Sequence, residues 1–315
     1  MEEHEDAQNC FPEHNSSCRK VLLSTSIYIT LYIFFLSIGA VTVFLNILVV
    51  ISILHFKQLH TPTNLLILSL AVADLLVGLI VIPVGTVAIM ESCWFLGKYF
   101  CVFYVYISYF ILSLSLGNLV LISIDRYVAV CDPLFYHSKI TTTRITCSIS
   151  IIWFCCIIYN AAFIKITVNV EVPRRCFEEC FIVEVYDSSS IIDLLITMVV
   201  PCSIIITLYL KIFVVARSQA RKVFSVEATI QSGVKTVQVN KTERKAAKTL
   251  SIVVFTYLSC WTPIFVIQFF SNQSSNYLSF LPFVNSLINP IIYAFFYPWF
   301  KVTAKHILTL KLRRS

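Results

Sequence analysis

Seven apolar runs of membrane-spanning length decide what this chain can fold into. They cover about 27–54, 62–90, 98–131, 144–166, 187–217, 242–270 and 277–297. The first core run, 27–54, has no charge, the second has only Asp74, and the fifth core, 188–210, has only Asp193. Crossing a bilayer takes roughly 20 mostly apolar residues as helix. Helix is forced, because lipid leaves no backbone group a partner outside its own segment and the runs lack strand alternation. With 58% hydrophobic and 13% charged residues, a 315-residue chain has more apolar surface than a soluble core can hide. The expected fold is an all-α membrane protein, a seven-transmembrane helix bundle.

Lys and Arg set the expected orientation. With the N-terminus outside, 18 of the 24 basic residues fall on the inner side, nine of them between Lys211 and Lys248. The outer segments hold most acids, including Glu2, Glu3, Glu5, Asp6, Glu178 and Glu179. The net charge of +7 therefore reflects topology and not nucleic-acid binding. Residues 1–26 are read as an extracellular N-terminus, 27–297 as the bundle, and 298–315 as a cytoplasmic amphipathic helix and tail. The first residues are polar and lack an apolar signal region, so the first helix is expected to direct its own insertion. Asn15-Ser16-Ser17 is a glycosylation acceptor on the outer side; Asn272-Gln273-Ser274 fits the same pattern close to the membrane. Cys10, Cys18, Cys93, Cys101, Cys176 and Cys180 lie where disulfides are permitted, and spacing leaves their pairing open. No His/Cys cluster has metal-ligand spacing, and no nucleophile–base motif suggests an enzyme.

Ionisable residues within a membrane cost at least ~2.5 kcal/mol each on insertion scales, so they mark function by default. They are Asp74, the Asp125-Arg126 pair and Asp193. Asp125-Arg126-Tyr127 closes the third run, Cys260-Trp261-Thr262-Pro263 lies in the sixth, and Asn289-Pro290-Ile291-Ile292-Tyr293 lies in the seventh. Together these resemble the rhodopsin-like G-protein-coupled receptors. The segment from Asn285 to Phe300, NSLINPIIYAFFYPWF, matches the seventh-helix fingerprint of trace amine-associated receptors, and Glu91-Ser92-Cys93-Trp94-Phe95-Leu96-Gly97 before Cys101 is similar to that family's first outer loop.

The resemblance implies disulfides Cys101–Cys180 and Cys18–Cys176, with Cys10 a competitor for Cys18. It implies a resting-state sodium ion held by Asp74, Ser115, Asn285, Ser286 and Asn289, the alternative being a hydrogen-bonded or protonated Asp74. Arg126, freed from Asp125, would contact the G protein; Glu243 would hold it at rest, Tyr209 and Tyr293 would support the active state, and Trp261 would sit beneath the ligand. No other cofactor is implied. The implied partners are a small-molecule amine, a heterotrimeric G protein of the stimulatory or olfactory type, and the lipid bilayer. The implied location is the plasma membrane of olfactory sensory neurons. A neuromodulatory amine receptor outside the nose is one alternative, and a transporter or channel another; the absence of internal repeats argues against the latter.

The ligand site departs from the usual amine pattern. The third-helix acid expected 18 residues before Arg126 is Ser108, and the seventh-helix tyrosine expected seven before Pro290 is Phe283. Asp193, eight before Pro201, offers a replacement, and the sequence resembles a subset of the family that carries its acid there. The alternative for Asp193 is a structural partner: Arg174, Arg175, Ser189, Ser190 or Thr197, the last sharing its helix face. Tyr109, Phe265 and Trp261 are candidate cation–π walls, and Leu112, Ile264 and Gln268 further lining residues. Glu184 and Asp187 stand near the expected cavity mouth as a second charge for a diamine.

Overall fold

A computed structural model describes residues 10, 24–91, 93–169, 192–227, 252, 255–263 and 281–309. "Outer" and "inner" below follow the orientation set by Lys and Arg. Helix 1 is Thr25–His55. Helix 2 runs from Pro62 to Leu76, through a π-helical turn at Val77–Val81, and on from Ile82 to Met90. Helix 3 is Gly97–Cys131 and helix 4 Thr142–Asn169. Helix 5 begins at 192 among the described residues, takes a π turn at Leu195–Val199 and continues over Val200–Glu227. Helix 6 is described over 255–263. Helix 7 is Leu281–Phe296, and helix 8 is Pro298–Leu308. Five of these are long and apolar enough to cross a membrane, and helix 7 adds the shorter apolar stretch Phe283–Ala294. No strand occurs among the described residues.

The helix boundaries have local causes. Thr61 caps helix 2 by accepting a hydrogen bond from the Asn64 N–H, and Pro62 takes the first helical position, where no N–H is needed. Gly97, at the start of helix 3, has φ +77°, a backbone conformation that side chains with a Cβ disfavour, and its carbonyl accepts from Trp94 Nε1 at 3.0 Å. Each π turn ends two residues before a proline, Pro83 or Pro201. A proline lacks the N–H and its ring crowds the carbonyl four residues back; a wider turn accommodates both.

The burial pattern is that of a bundle in lipid. Large apolar side chains such as Ile33, Phe34, Phe154, Phe213 and Val214 point away from the other helices. Many small polar ones point inward: Thr42, Asn46, Ser52, Thr86, Asn118 and Ser123 are all fully buried. Their hydrogen bonds stay inside the bundle. Asn46 Nδ2 on helix 1 reaches the Ser286 carbonyl of helix 7 at 3.1 Å, and Trp153 Nε1 on helix 4 reaches Ser69 Oγ on helix 2 at 3.0 Å. The apolar core has an inner cluster around Val49, Ile53, Leu66, Leu70, Leu119, Ile205 and Tyr293, and an outer one around Phe35, Val81, Ile82, Ile111, Leu114 and Phe283. Helix 8 buries Phe300 and leaves Lys301 and Lys305 exposed, and its His306 ring meets Phe56 beyond the end of helix 1 at 6.5 Å.

Helices 1 and 2 approach through glycine. A Cβ on Gly78 would lie 2.8 Å from Val43 Cγ2 and 3.1 Å from the Val43 backbone nitrogen; one on Gly39 would lie 3.1 Å from Ile82 Cγ2. Small residues let membrane helices come this close. Gly78→Ala must move helix 1, an overpacking that costs roughly 1–3 kcal/mol. A lower Tm for the detergent-solubilised variant than for wild type, read by thiol-reactive dye unfolding, is the expected outcome; an unchanged Tm would mean that the helices are not in contact there.

Candidate functional site

The three acids within the bundle stand in three different polar environments. Asp125, at the inner end of helix 3, is fully buried. Its carboxylate forms an ion pair with Arg126, whose Nε donates to Oδ2 at 2.8 Å. Thr63 Oγ1 on helix 2 donates to Oδ2 at 3.0 Å, and Tyr136 OH, in the turn after helix 3, donates to Oδ1 at 2.9 Å. Arg126 also donates to Thr63 Oγ1 at 2.6 Å. Burial and the adjacent Asp125 push the Tyr136 phenol up to about 12, so it remains a donor at neutral pH. Tyr127 packs toward helix 5, with Lys211 Nζ 5.9 Å from its ring centre. Glu243, the other expected partner of Arg126, lies outside the described residues.

Asp74, midway along helix 2, is 1% exposed and accepts from Asn289 Nδ2 of helix 7 at 2.8 Å. Ser115 Oγ, Asn285 Oδ1 and Asn289 Oδ1 are buried without a hydrogen-bond partner among the described residues. Buried polar atoms are rarely left so. A carboxylate with several unanswered oxygens on helices 2, 3 and 7 is the donor set a hard cation takes, so these residues fit the expected sodium ion. Ser286 is buried with them, its carbonyl held by Asn46. Farther inward, the Tyr209 and Tyr293 hydroxyls are also buried and without hydrogen-bond partners among the described residues, and Pro290 lies inside helix 7.

Asp193 is half-buried at the outer end of helix 5. Its Oδ1 accepts from Tyr159 OH of helix 4 at 2.8 Å. No cation pairs with it among the described residues. The Tyr159 ring stacks on Phe163, with centroids 6.5 Å apart and planes 7° apart, and Phe163 meets Tyr109 of helix 3 at 5.9 Å. The acid and the expected aromatic Tyr109 are thus joined through two helix 4 rings. Thr197 does not serve the carboxylate: its hydroxyl donates to the Asp193 backbone carbonyl at 2.7 Å. The i+4 spacing brought the two residues together, but the hydroxyl makes the bond to the carbonyl four residues back that Thr42, Ser108 and Ser123 also make on their own helices. Arg174, Arg175, Ser189 and Ser190 lie outside the described residues, as do Glu184 and Asp187.

Where the usual acid would stand, Ser108 is buried and its hydroxyl is spent on the Tyr104 carbonyl at 2.8 Å. Phe283 is buried in the outer apolar cluster, against which Leu112 packs. Trp261 packs with the inner cluster, its ring 5.8 Å from that of Tyr257. Ile264, Phe265 and Gln268 lie outside the described residues. A cleft of about 450 Å³ between the outer ends of helices 3 and 4 is lined by Tyr99, Val102, Phe103, Tyr106, Ala161, Ile164 and Lys165. Tyr99 and Phe103 are exposed, and none of the expected ligand residues lines it, so it is a surface feature apart from Asp193.

The sequence reading missed Tyr159. Tyr159-Asn160 is a polar interruption of the apolar run 151–164, and a tyrosine hydroxyl within hydrocarbon needs a partner; that signal points across to an acid. It also misplaced Cys10. Instead of competing for Cys176, Cys10 is bonded to Cys93, with Cα atoms 5.4 Å apart. Cys93 follows the outer end of helix 2, where Tyr28 and Tyr32 of helix 1 both donate to Glu91, so Cys10, helix 1 and this loop meet at one edge. Cys101 is also disulfide-bonded. Cys18, Cys176, Cys180 and Asn15 lie outside the described residues.

Comparison with known proteins decides the family. Residues 45–293 match the 7 transmembrane receptor (rhodopsin family). The chain is 37% identical to trace amine-associated receptor 13c of Danio rerio, over 99% of this chain and 95% of that protein. It is 38% identical to trace amine-associated receptor 6 of Homo sapiens, over 96% and 92%. The chain belongs to the trace amine-associated receptor family. It is therefore a multi-pass membrane receptor with the seven-transmembrane fold, and not an enzyme.

The Asp125 cluster ties the inner end of helix 3 to helix 2 and to the turn that follows helix 3. Tyr136→Phe removes one of the hydrogen bonds that hold Asp125 against Arg126. Ligand-independent G-protein activation, measured by nucleotide exchange at equal receptor density, is expected to rise about two- to fivefold, as for loss of a hydrogen bond worth about 0.5–1 kcal/mol net. Unchanged basal exchange would show that Tyr136 does not restrain Arg126.

Proposed function

We propose that this chain is an amine receptor that binds the ligand ammonium at Asp193 and activates a stimulatory G protein, raising cyclic AMP. The observation that carries the reading is Asp193 itself: a half-buried carboxylate at the outer end of the bundle whose only side-chain partner among the described residues is a neutral phenol. Such a group favours a cationic ligand, and a neutral one would leave it without a countercharge. Ser108 and Phe283 support the same reading, since neither offers a charge at the usual amine position and both are committed to packing or to their own helix. Relatives named trace amine-associated receptors support the amine class. An olfactory role in sensory neurons fits the same family likeness, with a neuromodulatory role outside the nose as the second reading.

Signalling in this reading runs from the ligand past Trp261 to the inner end. Opening the inner end of helix 6 frees Arg126 from Asp125 for the G protein, and the unpartnered hydroxyls of Tyr209 and Tyr293 gain partners in the active arrangement. A sodium ion held by Asp74, Ser115, Asn285, Ser286 and Asn289 would supply the countercharge for Asp74 and favour the resting state.

Two measurements test the reading. In a cyclic AMP assay with a panel of amines and their neutral isosteres, wild type is expected to respond to amines alone. Asp193→Ala and Asp193→Asn at equal surface expression are expected to lose at least about thirtyfold in potency, the low end for breaking a desolvated charge pair. Normal responses in both variants would remove Asp193 as the counter-ion and turn attention to Glu184 and Asp187. In membranes, replacing sodium with a large organic cation is expected to raise amine affinity of wild type and leave Asp74→Asn unaffected; equal behaviour of the two receptors would reject the sodium site.

A further inference from the structure

The Asp193 carboxylate has two oxygens, and the protein has taken one. Oδ1 accepts from Tyr159 OH at 2.8 Å, while Oδ2 accepts from no described residue. Around Tyr159 the surroundings are aromatic: Phe163 lies parallel to its ring, and Tyr109 follows at 5.9 Å from Phe163. Asn160, the other polar residue of this part of helix 4, is turned to Ser113 of helix 3 and to the Cys156 carbonyl of its own helix. It is spent on those groups and does not serve the acid.

We propose that Tyr159 is a specificity-determining residue: by holding Oδ1 it leaves one carboxylate oxygen for the ammonium, so the receptor prefers N-alkylated amines to primary amines of the same skeleton. This rests on Asp193 being the counter-ion. A primary ammonium brings three N–H donors. A carboxylate with both oxygens open can grip two of them, one on each oxygen; with a lone pair of Oδ1 already held by Tyr159 that two-oxygen grip is weakened, and Oδ2 is the open acceptor. The remaining donors leave water and face aromatic rings, and a desolvated donor without an acceptor is penalised. N-methyl groups remove those donors, keep the charge, and place apolar surface against Tyr159, Phe163 and Tyr109, where the cation also meets ring faces. The arrangement follows from the position of the acid. The seventh-helix tyrosine that pairs with a third-helix acid is here Phe283, buried in the apolar cluster, and support for the acid comes from helix 4 instead.

The test compares a primary amine agonist with its N,N-dimethyl derivative on wild type, Tyr159→Phe and Asp193→Asn, each at matched surface expression. Wild type is expected to favour the dimethyl compound by at least about fivefold. Tyr159→Phe keeps the ring and its stacking, frees Oδ1, and is expected to shift the potency ratio toward the primary amine by about tenfold, the effect of one added charge-assisted hydrogen bond. Tyr159→Leu, which removes the ring as well, is expected to shift the ratio in the same direction. A wild-type preference for the primary amine, or a ratio that Tyr159→Phe leaves unchanged while both potencies stay or fall together, overturns the proposal; equal falls would make Tyr159 a structural support. Silence of Asp193→Asn toward both amines together with an unchanged ratio in Tyr159→Phe would overturn this inference alone. Normal responses in Asp193→Asn would overturn the counter-ion reading beneath it.

Discussion

A carboxylate inside a lipid-facing bundle must find its compensation within the protein, because neither water nor the bilayer core supplies it. The residues described above meet that demand to three different degrees. Asp125 has an arginine, a threonine and a tyrosine. Asp74 has one amide, with unanswered oxygens around it. Asp193 has one phenol on one oxygen. A fully answered acid is a closed lock, which opens only when its partners move. A half-answered one with spare oxygen donors suits a small cation. One with a neutral partner and an open oxygen suits a ligand that brings the charge. Their depths follow the same order, from inner face to bundle middle to outer end, so the chemistry of compensation divides the receptor along the membrane normal.

The helical membrane fold was legible because the bilayer imposes one rule on every span. Runs such as 27–54, with no charge at all, admit no other reading. The acids were legible for the same reason: each stands alone in an apolar run. The partners were less so. Thr63 and Tyr136 lie on either side of helix 3 in sequence, 62 residues before and 11 after Asp125, and nothing in the chain marks them as converging on it. Tyr159 and Asp193 are 34 residues apart on different helices, and only packing joins them.

Local backbone departures account for the other difference. Counting eight residues back from Pro201 finds Asp193, but the π turn between them means that ordinary helical phase does not give their relative direction. The same device precedes Pro83 in helix 2. The i+4 relation between Asp193 and Thr197 held in space, yet the hydroxyl answered the backbone carbonyl and not the carboxylate. Cysteine pairing was the least legible, since six outer cysteines allow fifteen pairings. Cys10–Cys93 became visible only once helices 1 and 2 were packed with Glu91 receiving Tyr28 and Tyr32.

The amine site proposed at Asp193 needs more than an acid moved from helix 3. Ser108 is buried between residues of the outer apolar cluster on its own helix, and its hydroxyl turns to the Tyr104 carbonyl. At Asp193 the donor is already in place, on a ring braced by Phe163. Phe283 of helix 7 shares one apolar cluster with Ile111 and Leu114 of helix 3, while the Tyr159 hydroxyl keeps Asp193 from being left bare. The cost of holding an unpaired carboxylate in the empty receptor is thereby lowered by a neutral donor, which does not cancel the charge. A cationic residue in that role would form an ion pair and compete with the ligand. A phenol compensates the acid and leaves its charge for an ammonium.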